Sequence, residues 1–209
     1  MLEIKNCAFS YQDVPIFEDI SFQLNDGDRH TIVGPSGVGK STFLKLIMGT
    51  LTPQSGDILI AGKSVIHPFK APHQRPVTLI SQEDTLFPHL TVAQNLMFGA
   101  PKKTSDVLNR WLEALELTPL ATRYPSELSG GEAQRVMLGR ALIYAPAIIL
   151  MDEPFKALDA TLKLTLIDRF KTLFKDVEQT VLTVTHDASV ATALGGHVYR
   201  LDDGRLERR

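Results

Sequence analysis

Apolar and polar residues alternate from Leu2 to Phe9, and short apolar pieces follow at Val14 to Phe17 and Ile20 to Leu24, ahead of the turn Asp26-Gly27-Asp28. A period of two broken by turn residues predicts an antiparallel start. The pattern changes at His30. His30 to Val33 reads as a short β run, a glycine-rich loop follows, and Thr42 to Met48 carries Phe43, Leu44, Ile47 and Met48 at helical spacing. Pro53 to Gly56 predicts a break, Asp57 to Ile60 a strand, and Val77 to Ile80 a further buried one. From Thr91 to Tyr144 the period is mostly helical, with Val107, Leu108, Trp111, Leu112 and Leu115 on one face and Ser129 placed three residues before Glu132 as a capping box. Ala147 to Met151 is continuously apolar, as in a parallel strand covered on both faces. A helix over Ala160 to Phe174, a strand over Thr180 to Thr185, a short helix ending near Gly195 and a last strand over Val198 to Leu201 complete the pattern. Strands alternating with helices predict an α/β fold around a mixed, largely parallel sheet.

The loop Gly34-Pro35-Ser36-Gly37-Val38-Gly39-Lys40-Ser41, with Thr42 opening the helix behind it, has the spacing of a phosphate loop and lies between a strand and a helix. Glycines let successive backbone amides point at phosphate oxygens, and the helix N-terminus adds positive potential. On this pattern Lys40 holds the β and γ phosphates of ATP and Ser41 ligates Mg²⁺. Downstream, Asp152 and Glu153 come after the apolar run, at the strand end where nucleotide-binding sheets expose their chemistry. Asp152 is expected to hold Mg²⁺ through its water shell, and Glu153 to orient or deprotonate the attacking water.

Leu128-Ser129-Gly130-Gly131-Glu132 stands before a helix over Ala133 to Tyr144, where a serine and two glycines make a second anion-binding cup. Together these segments resemble the nucleotide-binding subunit of ABC transporters over essentially the whole chain, a phosphate-loop NTPase architecture. That resemblance implies an antiparallel β subdomain and core within about 1–83, an inserted helical subdomain over about 84–140, and a core that continues over 141–209. It also implies that two copies, or this chain and a similar ATPase subunit, meet head to tail. Each ATP would then lie between Lys40 of one copy and Ser129, Gly130 and Gly131 of the other, with Glu132 replacing the commoner glutamine. Further matches carry over one by one. Tyr11 resembles the ring that stacks on adenine, Gln82 the glutamine that touches Mg²⁺ and water, Asp159 in Ala157-Leu158-Asp159 the loop joining the two sites, and His186 the switch histidine on the γ phosphate. Lys156 departs from the serine that the family often carries.

Composition narrows the partners. A formal net charge of -2 gives no basic footprint for nucleic acid. Cys7, the single cysteine, is expected to be a core filler in a reducing compartment. Met1-Leu2-Glu3-Ile4-Lys5 lacks the pattern of a secretory signal, so none is expected, and no stretch reaches the ~20 apolar residues that span a bilayer. The expectation is therefore a cytoplasmic subunit, peripheral on the inner membrane face, that reaches the bilayer through integral membrane transporter subunits and meets a substrate-binding protein only indirectly. Leu86, Phe87 and Pro88 are the expected docking residues, in a loop expected to be exposed, the alternative being that Leu86 and Phe87 pack under the helical subdomain. The segment Phe87 to Val92 looks like importer subunits that serve thiamine, inorganic ions, polyamines or similar small solutes. The turn at Asp202-Asp203-Gly204 lies near the end of the sequence, and no regulatory domain is expected after it. A DNA-repair ATPase of related type would need a long coiled coil, for which no heptad run exists. A translation-associated ATPase would carry two cassettes, and a small-molecule kinase gives no role to Leu128–Glu132 or His186.

Overall fold

The computed structural model describes residues 1–81, 86–144, 146–156, 163–168, 171 and 179–208. The predicted antiparallel start is a sheet built from β1 (Leu2–Tyr11), β2 (Val14–Leu24), β4 (Ser55–Ile60) and β5 (Lys63–Ser64), in the order β2-β1-β4-β5. The second sheet combines β3 (Arg29–Val33), β6 (Val77–Ile80), β7 (Ile148–Asp152), β8 (Thr180–Thr185), β9 (His197–Asp202) and β10 (Arg205–Arg208), in the order β10-β9-β3-β8-β7-β6. Its β3–β8, β7–β8 and β3–β9 pairs are parallel and β9–β10 is antiparallel, so the sheet is mixed.

The helices are α1 (Lys40–Met48), α2 (Val92–Met97), α3 (Ser105–Ala114), α4 (Gly130–Tyr144), a helical stretch over 163–168 (α5) and α6 (Ala188–Leu194). The chain divides into two compact units. One comprises Met1–Leu79, Ala147–Glu153 and Glu178–Arg209, and the other Ile80–Pro146 and Pro154–Val177.

In the first unit the apolar faces of both sheets close on α1. Phe43, fully buried, meets Phe17 edge-on at 6.0 Å between ring centroids and Phe22 at 5.7 Å. Cys7 lies in this core as expected, and burial pushes its thiol up to about 11. In the second unit α2 packs with both α3 and α4, and Trp111 and Leu112 are buried on the predicted face of α3. Gly139 of α4 leaves room for Leu96 and Leu115, because a Cβ there would meet their methyls at 2.6 and 2.4 Å.

Some strands depart from the expected pattern. Gly56, expected within a break, is inside β4: its φ of 84° and the approach of the Lys5 and Asn6 carbonyls to within 2.4 Å of a Cβ position leave room only for glycine as β4 crosses β1. β10 is an addition to the expected elements, since Arg205-Leu206-Glu207-Arg208 is a charged edge strand with one apolar residue.

Arg75 ties the C-terminal end of α1 to the chain around β5. Arg75 is only 4% exposed, and its guanidinium donates to the carbonyls of Leu46 (3.0 Å), Ile47 (2.8 Å), Val65 (3.2 Å) and Lys70 (2.9 Å). It thereby satisfies terminal helix carbonyls and sits at the negative pole of the helix. His30 of β3 is buried too, stacked on Tyr199 at 5.3 Å and edge-on to His197 at 5.0 Å. Burial lowers its pKa, with the nearby Arg208 and His197 acting in the same direction and Asp28 against them.

Arg75→Met should lower the unfolding free energy by about 3 kcal/mol, because hydrogen bonds to charged groups contribute ~1.5–3 kcal/mol and buried carbonyls lose their donor. Urea unfolding reads the loss as a lower midpoint at unchanged slope. The unfolded chain binds a proton at His30 near about pH 6.5, whereas the folded chain does so only at lower pH. Stability from His30 is therefore complete above that value and is lost as pH falls through the folded pKa. His30→Phe should flatten the fall in urea midpoint measured on acidification from about pH 7 to about pH 5.

Candidate functional site

Register builds the site. Val33 of β3 lies opposite Thr185 of β8, and Asp152 of β7 lies opposite Val184. The C-terminal ends of β3, β8 and β7 are thus level, and they lead into Gly34, His186 and Glu153 respectively. This is where open parallel sheets hold ligands.

The loop curls as its glycines require. Gly37 and Gly39 have φ of 83° and 106°, and a Cβ on Gly34 would come within 2.6 Å of the Leu201 carbonyl oxygen. Lys40 is buried at the start of α1 and its Nζ donates to the carbonyls of Gly34 (2.9 Å) and Pro35 (2.8 Å), drawing the loop around its own ammonium. Pro35, Ser36 and Gly37 are exposed, Val38 is half-buried, and Ser41 is exposed beside buried Thr42. An open groove of about 810 Å³ borders Gly37 and Val38 on one side and Pro15, Ile16, Gly204 and Arg205 on the other. The outer side of the loop is accessible to a ligand. Tyr11 presents a ring that is 45% exposed, braced edge-on by Phe9 at 4.9 Å, with its hydroxyl 3.4 Å from Thr42 Oγ1.

Glu153 leaves β7 with φ of 50°, a left-handed conformation that costs about 1–2 kcal/mol for a residue with a Cβ. Its surroundings hold it there. Its backbone N–H donates to Val184 O (3.0 Å), Oε2 accepts the Thr185 hydroxyl (2.9 Å), and Oε1 accepts the His186 N–H (3.0 Å) and lies 2.7 Å from His186 Nδ1. Two residues expected to serve hydrolysis thus touch each other. Thr185, which the sequence marks only as a β-branched strand residue, is the group between them. Asp187 caps α6 through the Ser189 and Val190 amides.

Mg²⁺ suits the oxygen groups near the loop. Ser41 offers a hydroxyl and Asp152 a half-buried carboxylate, and a hard cation that keeps several waters needs only one or two protein ligands. Among the described residues no cluster of three or more His, Cys, Asp or Glu side chains forms a closed metal cage. Gln82 and Asp159 lie outside the described residues.

In the second unit Ser129 and Glu132 form the predicted capping box. Glu132 Oε2 accepts the Ser129 N–H (2.7 Å) and hydroxyl (2.8 Å), and the Glu132 N–H donates weakly to Ser129 Oγ (3.4 Å). The bonds from Ser129, the backbone one first, hold the Glu132 carboxyl below its ordinary range. Gly130 is exposed and has open space where a Cβ would be, so the helix start is accessible.

The expectation of an exposed Leu86 is corrected. Leu86 is 8% exposed and Phe87 is half-buried, so neither projects as a free anchor. The cause is Asn95, fully buried in α2, which takes the Phe87 N–H on Oδ1 (2.8 Å) and donates from Nδ2 to the carbonyls of Phe87 (3.1 Å), Leu90 (2.9 Å) and Thr91 (3.0 Å). Asn95 folds the loop inward and leaves Pro88 and His89 outward. Phe87 instead packs against half-exposed Phe98 (centroids 4.2 Å apart) and lies under the Arg140 guanidinium (5.0 Å).

Residues 17–156 match the ABC transporter family. The chain belongs to the ABC transporter family. The spermidine/putrescine import ATP-binding protein of Chromobacterium violaceum is 37% identical over 214 residues, covering 100% of this chain and 59% of that protein. The sulfate/thiosulfate import ATP-binding protein of a Synechocystis species is 36% identical over 211 residues, covering 98% of this chain and 59% of that one. This ABC chain spans under three fifths of the length of the curated import proteins it matches. A bacterial ABC transporter cassette solved as a dimer superposes with a TM-score of 0.83 at 30% identity, covering 100% of this chain and 97% of that one. The same fit, TM-score 0.83 at 30% identity, holds for a cassette dimer in a post-hydrolysis state bound to ADP and Pi. The ABC cassette fold therefore extends over the whole chain, with its mixed sheet and antiparallel N-terminal sheet.

Proposed function

We propose that this chain binds and hydrolyses ATP as one half of a head-to-tail pair and couples the cycle to transmembrane subunits that import a small solute. The single observation that carries the reading is the convergence of the phosphate loop, Asp152, Glu153 and His186 on one edge of the parallel sheet. The dimeric cassettes of the same fold support the pairing.

In this reading the loop amides and Lys40 bind the β and γ phosphates, while Tyr11 supports the adenine ring. Ser41, Asp152 and Gln82 would hold Mg²⁺, which supplies charge compensation on the phosphate oxygens. Glu153 orients water and accepts its proton. His186, whose side chain is 53% exposed, can turn from Glu153 toward the γ phosphate. Ser129, Gly130, Gly131 and Glu132 face the ATP of the opposing copy, and Asp159 connects the two sites. Closure follows ATP and opening follows loss of the γ phosphate, because that charge joins the copies.

No helix among the described residues is long and apolar enough to cross a membrane, so membrane subunits would supply the path. The chain would then sit peripherally on the cytoplasmic face, and a solute-binding protein would meet the assembly only through those subunits. The docking face is the Phe87–Phe98 pair with exposed Pro88 two residues from Leu86 and the half-exposed Tyr144 ring packed at Gly99. Relatives named for a polycation and for a dianion match at 37% and 36% identity, so similarity of this chain does not choose the cargo. The choice of solute falls to the other subunits.

Glu153→Gln should bind ATP with unchanged affinity, accumulate as a closed dimer in size-exclusion chromatography with ATP, and lose at least about 100-fold in turnover. Normal turnover would remove Glu153 from the mechanism. Phe98→Asp should leave ATPase activity of the isolated chain intact and abolish co-purification with the membrane subunits. Undiminished co-purification would place the docking face elsewhere.

A further inference from the structure

The two carboxylate oxygens of Glu153 are held in different ways. On Oε1 the partner is His186, whose side chain is 53% exposed and can swing away. On Oε2 the partner is the hydroxyl of Thr185, a residue only 2% exposed at the last position of β8. A threonine hydroxyl has one proton to give. Here its oxygen already accepts the Asp187 N–H at 3.1 Å, so the proton points to Glu153 Oε2 at 2.9 Å. Asp187 is itself fixed, because its side chain caps α6 at the amides of Ser189 (2.9 Å) and Val190 (3.4 Å). The helix start holds the Asp187 backbone, that backbone orients the Thr185 hydroxyl, and the hydroxyl aims one oxygen of Glu153.

We propose that Thr185 is the positioning residue for Glu153, holding Oε2 throughout the cycle and leaving Oε1 as the oxygen that takes the water proton once His186 departs. The inference rests on the reading of Glu153 as the base. A base must sit within hydrogen-bond reach of its water, and a displacement of about 1 Å can cost ~100-fold in rate. Glu153 needs such a tether because its positive φ leaves the side chain at the end of a strained backbone. Burial distinguishes Thr185 from His186 as the permanent partner: no solvent competes for a hydroxyl enclosed within the strand end.

The test compares Thr185→Val, which keeps the β-branched shape and removes the hydroxyl, with Thr185→Ser, which keeps the hydroxyl. Steady-state ATP hydrolysis and equilibrium binding of a fluorescent ATP analogue are measured on the full chain with Mg²⁺, alongside the melting temperature. Thr185→Val is expected to lower kcat about ten-fold with KM and analogue affinity within about two-fold of wild type. Thr185→Ser is expected to restore kcat to within about two-fold. Should the valine variant not fold, Thr185→Ala replaces it with the same expected split. An unchanged kcat in the folded variant overturns the proposal, as does an equal loss in the serine variant, since either shows that the hydroxyl does not govern Glu153. Glu153→Gln in the same assay separates the two readings. If it turns over normally, the base assignment falls; if it is inactive while Thr185→Val is unimpaired, only the positioning role falls.

Discussion

The in-register parallel pairing of β7, β8 and β3 is the constraint on which the site depends, because it sets Thr185 level with Val33 and Asp152 one residue behind them, opposite Val184. Every group proposed to meet phosphate or water in the first unit is close to a strand end or in the loop that begins at one. A slip by one residue would turn Val33, Thr185 and Asp152 to the opposite face and break the clasp around Glu153. The runs Ile148 to Met151 and Thr180 to Thr185 are buried, so a slip would force close-packed side chains to repack on both faces at once. The core thus fixes chemistry by fixing register.

On that frame, three polar side chains perform the finer positioning, and each does so through backbone or carboxylate oxygens. Arg75 gathers four carbonyls at the far end of α1, Asn95 gathers the loop from Phe87 to Thr91, and Thr185 takes hold of Glu153. All three are nearly inaccessible to water, so their hydrogen bonds face no competition and a loss would leave buried partners unpaired. Glu132 differs. It is partly exposed, and its bonds to Ser129 complete a helix start while keeping the serine hydroxyl at the surface.

Much of this was legible in the sequence. The period-two start, the apolar parallel strands, the phosphate loop and the Ser129–Glu132 box all arise from local rules, and the structure contains each of them. Tertiary partners were not legible. Nothing local marks Arg75 as a helix cap 28 residues from Ile47, or Asn95 as the organiser of a loop 8 residues back. Thr185 reads as one more β-branched residue until Glu153 is folded against it. The exposed character expected of Leu86 failed for the same reason: apolar residues beside Pro88 suggest a surface loop, and the buried amide that draws them inward is on the next helix.

Asn95 has an evolutionary corollary. It grips the loop entirely through main-chain atoms of Phe87, Leu90 and Thr91, which every residue type other than proline supplies alike. Outward side chains such as Pro88 and His89 make no contribution to that grip, so they can be rewritten from one descendant to another while the loop keeps its path. A loop organised in this way can change its surface chemistry without first surrendering its shape.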